Sequence, residues 1–179
     1  MRAPPAPLQG GQFGLGHAAF DSRRGPVRIE PKYNGYRCLL TREGPVSRAG
    51  KRLPMAQPFW EELAPQLPEG SDWWDCELLG TREHTQDLAL VVFDVAVSGS
   101  LESRLDRLGQ LPPAPISPSV PWGVYRAPGI LGAAEAWETC RANGMEGIVV
   151  KRLGSEYPTG ITLDWIKFRY AFPGNNHRP

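Results

Sequence analysis

Apolar and polar residues alternate along most of this chain with the two-residue period of strands, and helical spacing is confined to a few stretches. Val27 to Lys32 and Tyr36 to Arg42 flank Asn34-Gly35, which predicts a β-hairpin, because both positions of such a turn take φ > 0. A short strand from Pro45 to Arg48 follows, and Ala49-Gly50 turns the chain. Pro58 opens a short helix through Glu61, Glu62 and Leu63, since a proline is tolerated in the first helical turn. Trp73 to Leu79 reads as a strand. Leu88 to Val97 is the longest β-rich run, apolar almost throughout, and should lie centrally with both faces covered. Leu101 to Leu108 spaces its leucines as a helix does, with charges between them. Residues 111–121 hold five prolines and read as a surface loop, and Val124 to Arg126 is a short strand. Ile130 to Asn143 is the clearest helix, with Asn143-Gly144 as its stop. Glu146 to Arg152 and Leu163 to Tyr170 are the last two strands. Strands joined by hairpins and a few helices predict the α+β class with mainly antiparallel sheets.

Residues 1–25, rich in proline and glycine, read as an irregular lead-in to one domain over 26–172, with a short basic tail at 173–179. A chain of 179 residues suits one domain with a substantial core, and 41% apolar with 22% charged residues is ordinary for a soluble protein. No apolar run approaches the length of a membrane span, and the amino terminus lacks a signal-peptide hydrophobic region, so no membrane partner is expected. Cys38, Cys76 and Cys140 are odd in number and lack CxxC spacing. That argues against a disulfide framework or a zinc site and for a reducing, cytoplasmic setting. The net charge of +1 hides a segregation: residues 1–60 carry +7, residues 61–164 carry −9 and residues 165–179 carry +3. Such a split allows a basic face for a polyanion beside an acidic region able to hold a divalent cation.

Polar clusters on the expected strands carry the candidate chemistry. Lys32 stands before Asn34-Gly35, with Arg37 five residues on. Ser47-Arg48-Ala49-Gly50-Lys51-Arg52 is a basic turn. Asp75-Cys76-Glu77 places two carboxylates on one side of a strand and the cysteine on the other, so both carboxylates can point into one cleft. Asp94 interrupts an apolar strand beside Phe93 and asks for a partner. Glu146-Gly147-Ile148-Val149-Val150-Lys151 opens with a carboxylate and closes with a cation, and Lys167 and Arg169 put two cations on one strand face.

In this order the clusters resemble the covalent nucleotidyltransferases, the family of ATP-dependent polynucleotide ligases and mRNA capping enzymes. The ligase lysine motif, Lys-x-Asp-Gly-x-Arg, is matched by Lys32 to Arg37, with Asn34 in the aspartate slot. The Ser-Arg-x-Gly element typical of DNA ligases is matched by Ser47 to Gly50. Asp75-Cys76-Glu77 is similar to the Asp-Gly-Glu motif and Phe93-Asp94 to the aromatic one. Glu146 to Lys151 and Lys167-Phe168-Arg169 are similar to the last two motifs. The resemblance covers residues 27 to 170 and implies two mainly antiparallel sheets with flanking helices around an ATP cleft.

It also implies a reaction and a role for each residue. AMP moves from ATP onto a lysine amine, then onto the 5′-phosphate of a nick in double-stranded DNA, and the strand is sealed in repair or replication. Lys32 would be the nucleophile and must attack uncharged, which burial and neighbouring cations favour. Lys167 and Arg169 would supply those cations and stabilise phosphate charge. Glu146 would bind Mg²⁺ or Mn²⁺, and Glu77 would contact the ribose or a metal-bound water. Phe93 would stack on adenine, Val149 would cover its other face, and Glu30 would read its edge. Arg37, Lys151 and Lys167 would hold the ribose and phosphates, while Arg48, Lys51 and Arg52 would hold the nucleic-acid backbone.

The departures from the pattern are Asn34, which loses a charge, Cys76, which replaces a glycine and is expected to add bulk beside Glu77, and Arg169 in place of a lysine. The chain ends about ten residues after the last motif, too soon for the oligonucleotide-binding barrel that follows in the family. Weak self-adenylation and poor sealing without a partner protein are therefore expected. An RNA ligase or a capping-type enzyme is one alternative. A non-catalytic relative that binds nucleotides or nucleic-acid ends is another.

Overall fold

Strands that bury one face and strands that bury both call for more than one sheet. In the computed structural model, which describes residues 5–9, 25–55, 57–80, 88–130 and 132–170, there are two. The first runs in the order β1 (Pro5–Gln9), β9 (Gly160–Arg169), β8 (Gly147–Arg152), β2 (Val27–Lys32). The second runs β4 (Gly44–Ser47), β3 (Tyr36–Thr41), β5 (Trp74–Leu79), β6 (Ala89–Val95), β7 (Gly123–Arg126). Neighbours are antiparallel except β1 with β9 and β6 with β7. Three short helices flank them: α1 (Gln57–Leu63), α2 (Leu101–Asp106) and α3 (Ala133–Ala142). The class is α+β with two mainly antiparallel sheets.

The expected hairpin is corrected. β2 pairs with β8, and β3 lies between β4 and β5, so Asn34-Gly35 is a crossing from one sheet to the other. Gly35 is required there by proximity and not by a left-handed backbone. A Cβ at this position would stand 2.3 Å from the Leu78 carbonyl oxygen and 2.8 Å from the Leu79 side chain. Its N–H donates to Glu77 Oε1 at 2.9 Å, which pins the crossing to the second sheet.

The lead-in is also corrected in part. Pro5 and Pro7 sit in a strand, where their alternate positions put both missing N–H groups on one side, and β1 is the edge strand of its sheet among the described residues. The rest of the lead-in and the basic tail at 173–179 lie outside the described residues. Pairing with β1 accounts for β9 starting at Gly160, three residues before the expected Leu163. Helix α3 starts three residues later than expected because Ile130 is drawn into a bridge with Ile29, donating its N–H to the Ile29 carbonyl at 2.9 Å. The proline-rich stretch is the surface loop expected, with Ala114 its one buried residue. It is tied along β7 by Ala114 N–H to Arg126 O and Arg126 N–H to Pro112 O, each at 2.9 Å.

One apolar cluster joins the first sheet (Ile29, Ile148, Val150, Phe168), helix α3 (Ala136, Cys140) and the inner face of the second sheet (Ala89, Val91). A second covers the outer face of that sheet, where Leu40, Trp74, Leu90 and Val92 meet Leu63 of α1 and Leu108. β6 is therefore buried on both faces, as its continuous apolar run predicts. The odd residue in it, Asp94, is completely buried and receives Arg104 Nε and Nη2 at 2.9 Å each. Arg104 spends its remaining donor on the carbonyls of Gly99 and Ser155, at 2.5 and 2.7 Å. No helix among the described residues is long and apolar enough to cross a membrane. Arg104→Met strips Asp94 of its hydrogen-bonded cation and should lower the unfolding free energy by about 3–5 kcal/mol in a urea titration; a loss below ~1 kcal/mol would contradict the buried pair.

Candidate active site

The two sheets enclose a cavity of about 350 Å³. Its first wall follows from strand register. Cross-strand partners align Glu30, Val149 and Lys167 in one row, and Lys32, Gly147 and Arg169 in the next. Because side chains two apart share a face, β2, β8 and β9 present these rows to the cavity together. Gly147 holds the middle of its row without a side chain, because a Cβ there would sit 1.9 Å from the Phe168 carbonyl oxygen. Glu146, next to it in sequence, receives Lys32 Nζ at 2.5 Å on one oxygen and Arg169 Nε at 2.8 Å on the other.

The second wall comes from β3, β5 and β6. Arg37 and Glu77 are cross-strand partners. Asp75, beneath them, receives Arg37 Nε at 2.8 Å and Nη2 at 2.5 Å. Register slips between Asp75 and Cys76, leaving Phe93 as the extra residue on β6 opposite the slip. Such a bulge re-aims a side chain, and Phe93 lines the cavity. Lys151 closes the deep end, with its ammonium 4.4 Å from the Trp165 ring and 4.7 Å from the Phe93 ring. Lys151 donates to Glu30 at 2.6 Å and to the Phe93 carbonyl at 2.8 Å. Glu30 also accepts from Arg28 at 2.7 Å, so its carboxylate is held on both oxygens and keeps lone pairs for one more donor.

Six cations (Lys32, Arg37, Arg48, Lys151, Lys167, Arg169) face three carboxylates (Glu30, Glu77, Glu146) around the cavity. The excess favours a polyanion. Burial, then Arg169 and Lys32, hold the Lys167 ammonium below the ordinary lysine value. Burial pushes the Glu77 carboxyl up to about 7, against the pull of Lys32, the Gly35 N–H and Arg37. No group of three or more His, Cys, Asp or Glu able to hold a metal occurs among the described residues. Glu146 and Glu77 instead fit a hard cation that takes one or two carboxylates and completes its shell with substrate phosphate oxygens.

Eleven of the thirteen residues singled out in the sequence line this one cavity: Glu30, Lys32, Arg37, Arg48, Glu77, Phe93, Glu146, Val149, Lys151, Lys167 and Arg169. Lys51 and Arg52 do not. They line a neighbouring hollow with Tyr36 and Leu53, and Arg52 lies over the Trp60 ring at 5.9 Å. Cys76 does not crowd Glu77, because it points to the outer face and is buried against Cys38 and Leu40. All three cysteines are buried and free. Three contributors were not singled out: Arg28, Trp165 and Tyr157. The first two were within reach, since Arg28 and Trp165 sit two residues before Glu30 and Lys167 on the same strand faces.

The raised Glu77 carboxyl makes stability depend on pH. Between its ordinary 4.5 and about 7 the folded protein keeps a proton that the unfolded chain releases, so stability falls as pH rises through that window. Glu77→Gln should therefore gain about 1–3 kcal/mol on the parent protein between about pH 4 and about pH 8, read by urea unfolding in a metal chelator. A constant difference across that range would contradict the buried carboxyl.

No protein-family model and no curated protein sequence matches this chain. Solved structures do. The ligase domain of M. tuberculosis LigD aligns with a TM-score of 0.64 at 20% identity, over 94% of this chain and 59% of that one. A mycobacterial DNA ligase D complexed with ATP and MES gives 0.64 at 21% identity, over 94% and 60%. The ATP-dependent DNA ligase of bacteriophage T7, in complex with ATP, gives 0.61 at 15%, over 93% and 68%. The chain thus spans about 60% of the mycobacterial chains it is similar to. It has the fold of the nucleotidyltransferase, or adenylation, domain of ATP-dependent DNA ligases.

Proposed function

We propose that this chain forms a lysyl-AMP intermediate from ATP and passes AMP to a 5′-phosphate at a nick in DNA. The observation that carries this reading is the position of Lys32, on a cavity wall with excess positive charge, touching one carboxylate and facing a second. In the first step Lys32 Nζ attacks the α-phosphorus of ATP. The N–P bond forms, the bond from that phosphorus to the β-phosphate oxygen breaks, pyrophosphate leaves, and the proton released by the nitrogen passes to water. The 5′-phosphate oxygen then displaces Lys32 from the same phosphorus. Attack by the neighbouring 3′-hydroxyl on the 5′-phosphate seals the strand and releases AMP.

The residues divide this work by chemistry. Lys167 has no ion-pair partner among the described residues, so its charge is available to phosphate, and Arg169 stands beside it. Phe93 and Val149, on opposite walls, suit the two faces of a flat base, and Glu30 suits an amino group on its edge. A divalent cation at Glu146, with Glu77 near, would neutralise phosphate charge there. Exposed Arg48 at the cavity edge, with Lys51 and Arg52 beyond it, supports binding of a nucleic-acid backbone next to the cleft. The Ser47-Arg48-Ala49-Gly50 element favours DNA over RNA. Sealing of nicked DNA is proposed for the whole protein; this chain aligns with about 60% of the mycobacterial chains.

Intact mass after incubation with ATP and Mg²⁺ should increase by one AMP, and Lys32→Ala should abolish the increase. No adduct across several metals and pH values would favour a non-catalytic nucleotide binder, and labelling by GTP in place of ATP would favour a capping-type enzyme. Glu146→Ala should slow labelling by about 100-fold or more with the fold intact. Unchanged labelling would remove Glu146 from the site. Faster sealing of nicked RNA than of nicked DNA would reverse the choice of substrate.

A further inference from the structure

The hydrogen bonds from Arg37 to Asp75 do not end at the carboxylate. Asp75 is completely buried, and on its far side Tyr157 Oη donates to Oδ2 at 2.7 Å. Trp73 Nε1, also completely buried, donates in turn to Tyr157 Oη at 2.9 Å. Chemistry fixes the direction of this chain. An indole N–H can only donate, so the phenol oxygen accepts from Trp73 and gives its own proton to Asp75. Burial, with Asp75 beside it, raises the Tyr157 phenol well above its ordinary value, so that proton is retained. Asp75 Oδ2 therefore takes two donors, Arg37 Nη2 and Tyr157 Oη, while Oδ1 takes Arg37 Nε.

Tyr157 is held as firmly as the group it holds. Its ring meets Trp73 and Trp165 edge-on at 6.1 and 6.3 Å, and the Arg104 guanidinium covers it at 5.6 Å. It belongs to the segment between β8 and β9, which leaves the first sheet and docks on the second. Arg104 donates to the Ser155 carbonyl at 2.7 Å, Gly99 N–H to Glu156 at 2.8 Å, and Glu102 N–H to the Leu153 carbonyl at 3.2 Å. A residue carried by the sheet of Lys32 thus anchors the carboxylate that aims Arg37 from the opposite sheet.

We propose that Tyr157 is a positioning residue for Arg37, fixing through Asp75 where the guanidinium stands in the cleft relative to Lys32. The inference rests on the reading above, with Arg37 in the part the resemblance implies for it, near the ribose and phosphates. An Asp75 released on its far side rotates, and Arg37 follows it, because two hydrogen bonds in a rigid fork transmit the movement. Misplacement of a charge by a fraction of an ångström slows the transfer step more than it weakens nucleotide binding. Trp73 contributes at one remove, by orienting the phenol.

Tyr157→Phe keeps the ring and its contacts and removes the oxygen alone. Adduct formation at saturating ATP should slow by about 10-fold, with the half-saturating ATP concentration within ~2-fold of the parent's. Combined with Arg37→Lys it should cost nothing beyond Arg37→Lys by itself, since the two act as one unit. Independently of activity, the Arg37 Nε–H resonance, recognised by its loss in Arg37→Lys, should shift and exchange faster with solvent in Tyr157→Phe. Trp73→Phe should produce the same changes in smaller measure, and it serves if Tyr157→Phe does not fold. An unmoved resonance, or slowing that multiplies with that of Arg37→Lys, overturns the proposal. A shifted resonance in a protein that never forms the adduct leaves the positioning intact and removes the function assigned to the cleft.

Discussion

The cleft exists because the chain changes sheets within three residues. Tyr33, Asn34 and Gly35 separate β2 from β3, and those strands belong to opposite walls. Lys32 and Arg37 are five positions apart in sequence, yet they face each other from different sheets. The crossing holds only where backbone can lie against backbone, which is why Gly35 fits against the Leu78 carbonyl and nothing with a Cβ does. Its N–H, given to Glu77, ties the same point to the second wall. The buried Tyr33 phenol donates to the Pro115 carbonyl at 2.9 Å and fastens the first side of the crossing to the proline-rich loop.

Around that crossing the charges are arranged in two layers. Deep groups are fully matched: Asp94 with Arg104, Asp75 with Arg37 and Tyr157, Glu30 with Arg28 and Lys151. The carboxylate of each such pair has left water and is retained by several hydrogen bonds, without which burial would be prohibitive. Groups nearer the opening are matched only in part. Glu146 is shared between two cations, and Lys167 stands without an ion-pair partner among the described residues. The ATP of the proposed reaction would meet positive charge that Glu146 already holds in place at Lys32 and Arg169, so little reorganisation would accompany binding.

The aromatic residues link these layers. Phe93, Trp165, Tyr157 and Trp73 meet edge to face from the cavity to the interior, with Lys151, Arg37 and Arg104 lying over their rings. This stack seals the deep end against water and strengthens the electrostatic interactions beside it. It also makes the docking of the segment between β8 and β9 part of the cleft's geometry.

Much of this was legible in the residues themselves. Alternation in Gly147 to Lys151 and in Trp165 to Arg169 predicts which side chains share a face, because strand geometry is local, whereas Glu146 lies just before β8 and reaches the same cavity against that alternation. The apolar run containing Val91 and Val92 predicts a doubly covered strand for the same reason. The resemblance of the ordered clusters to the nucleotidyltransferase motifs supplied thirteen candidate residues, and eleven of them line one cavity. What the residues could not reveal is partnership between distant segments. Asn34-Gly35 satisfies a hairpin and a sheet crossing equally well, and only the approach of Leu78, more than forty positions away, decides between them. Pro5 and Pro7 look irregular until β9 offers an edge. Tyr157 belongs to no periodic stretch, and its hydroxyl matters only because folding carries it to Asp75, 82 positions from it in the chain.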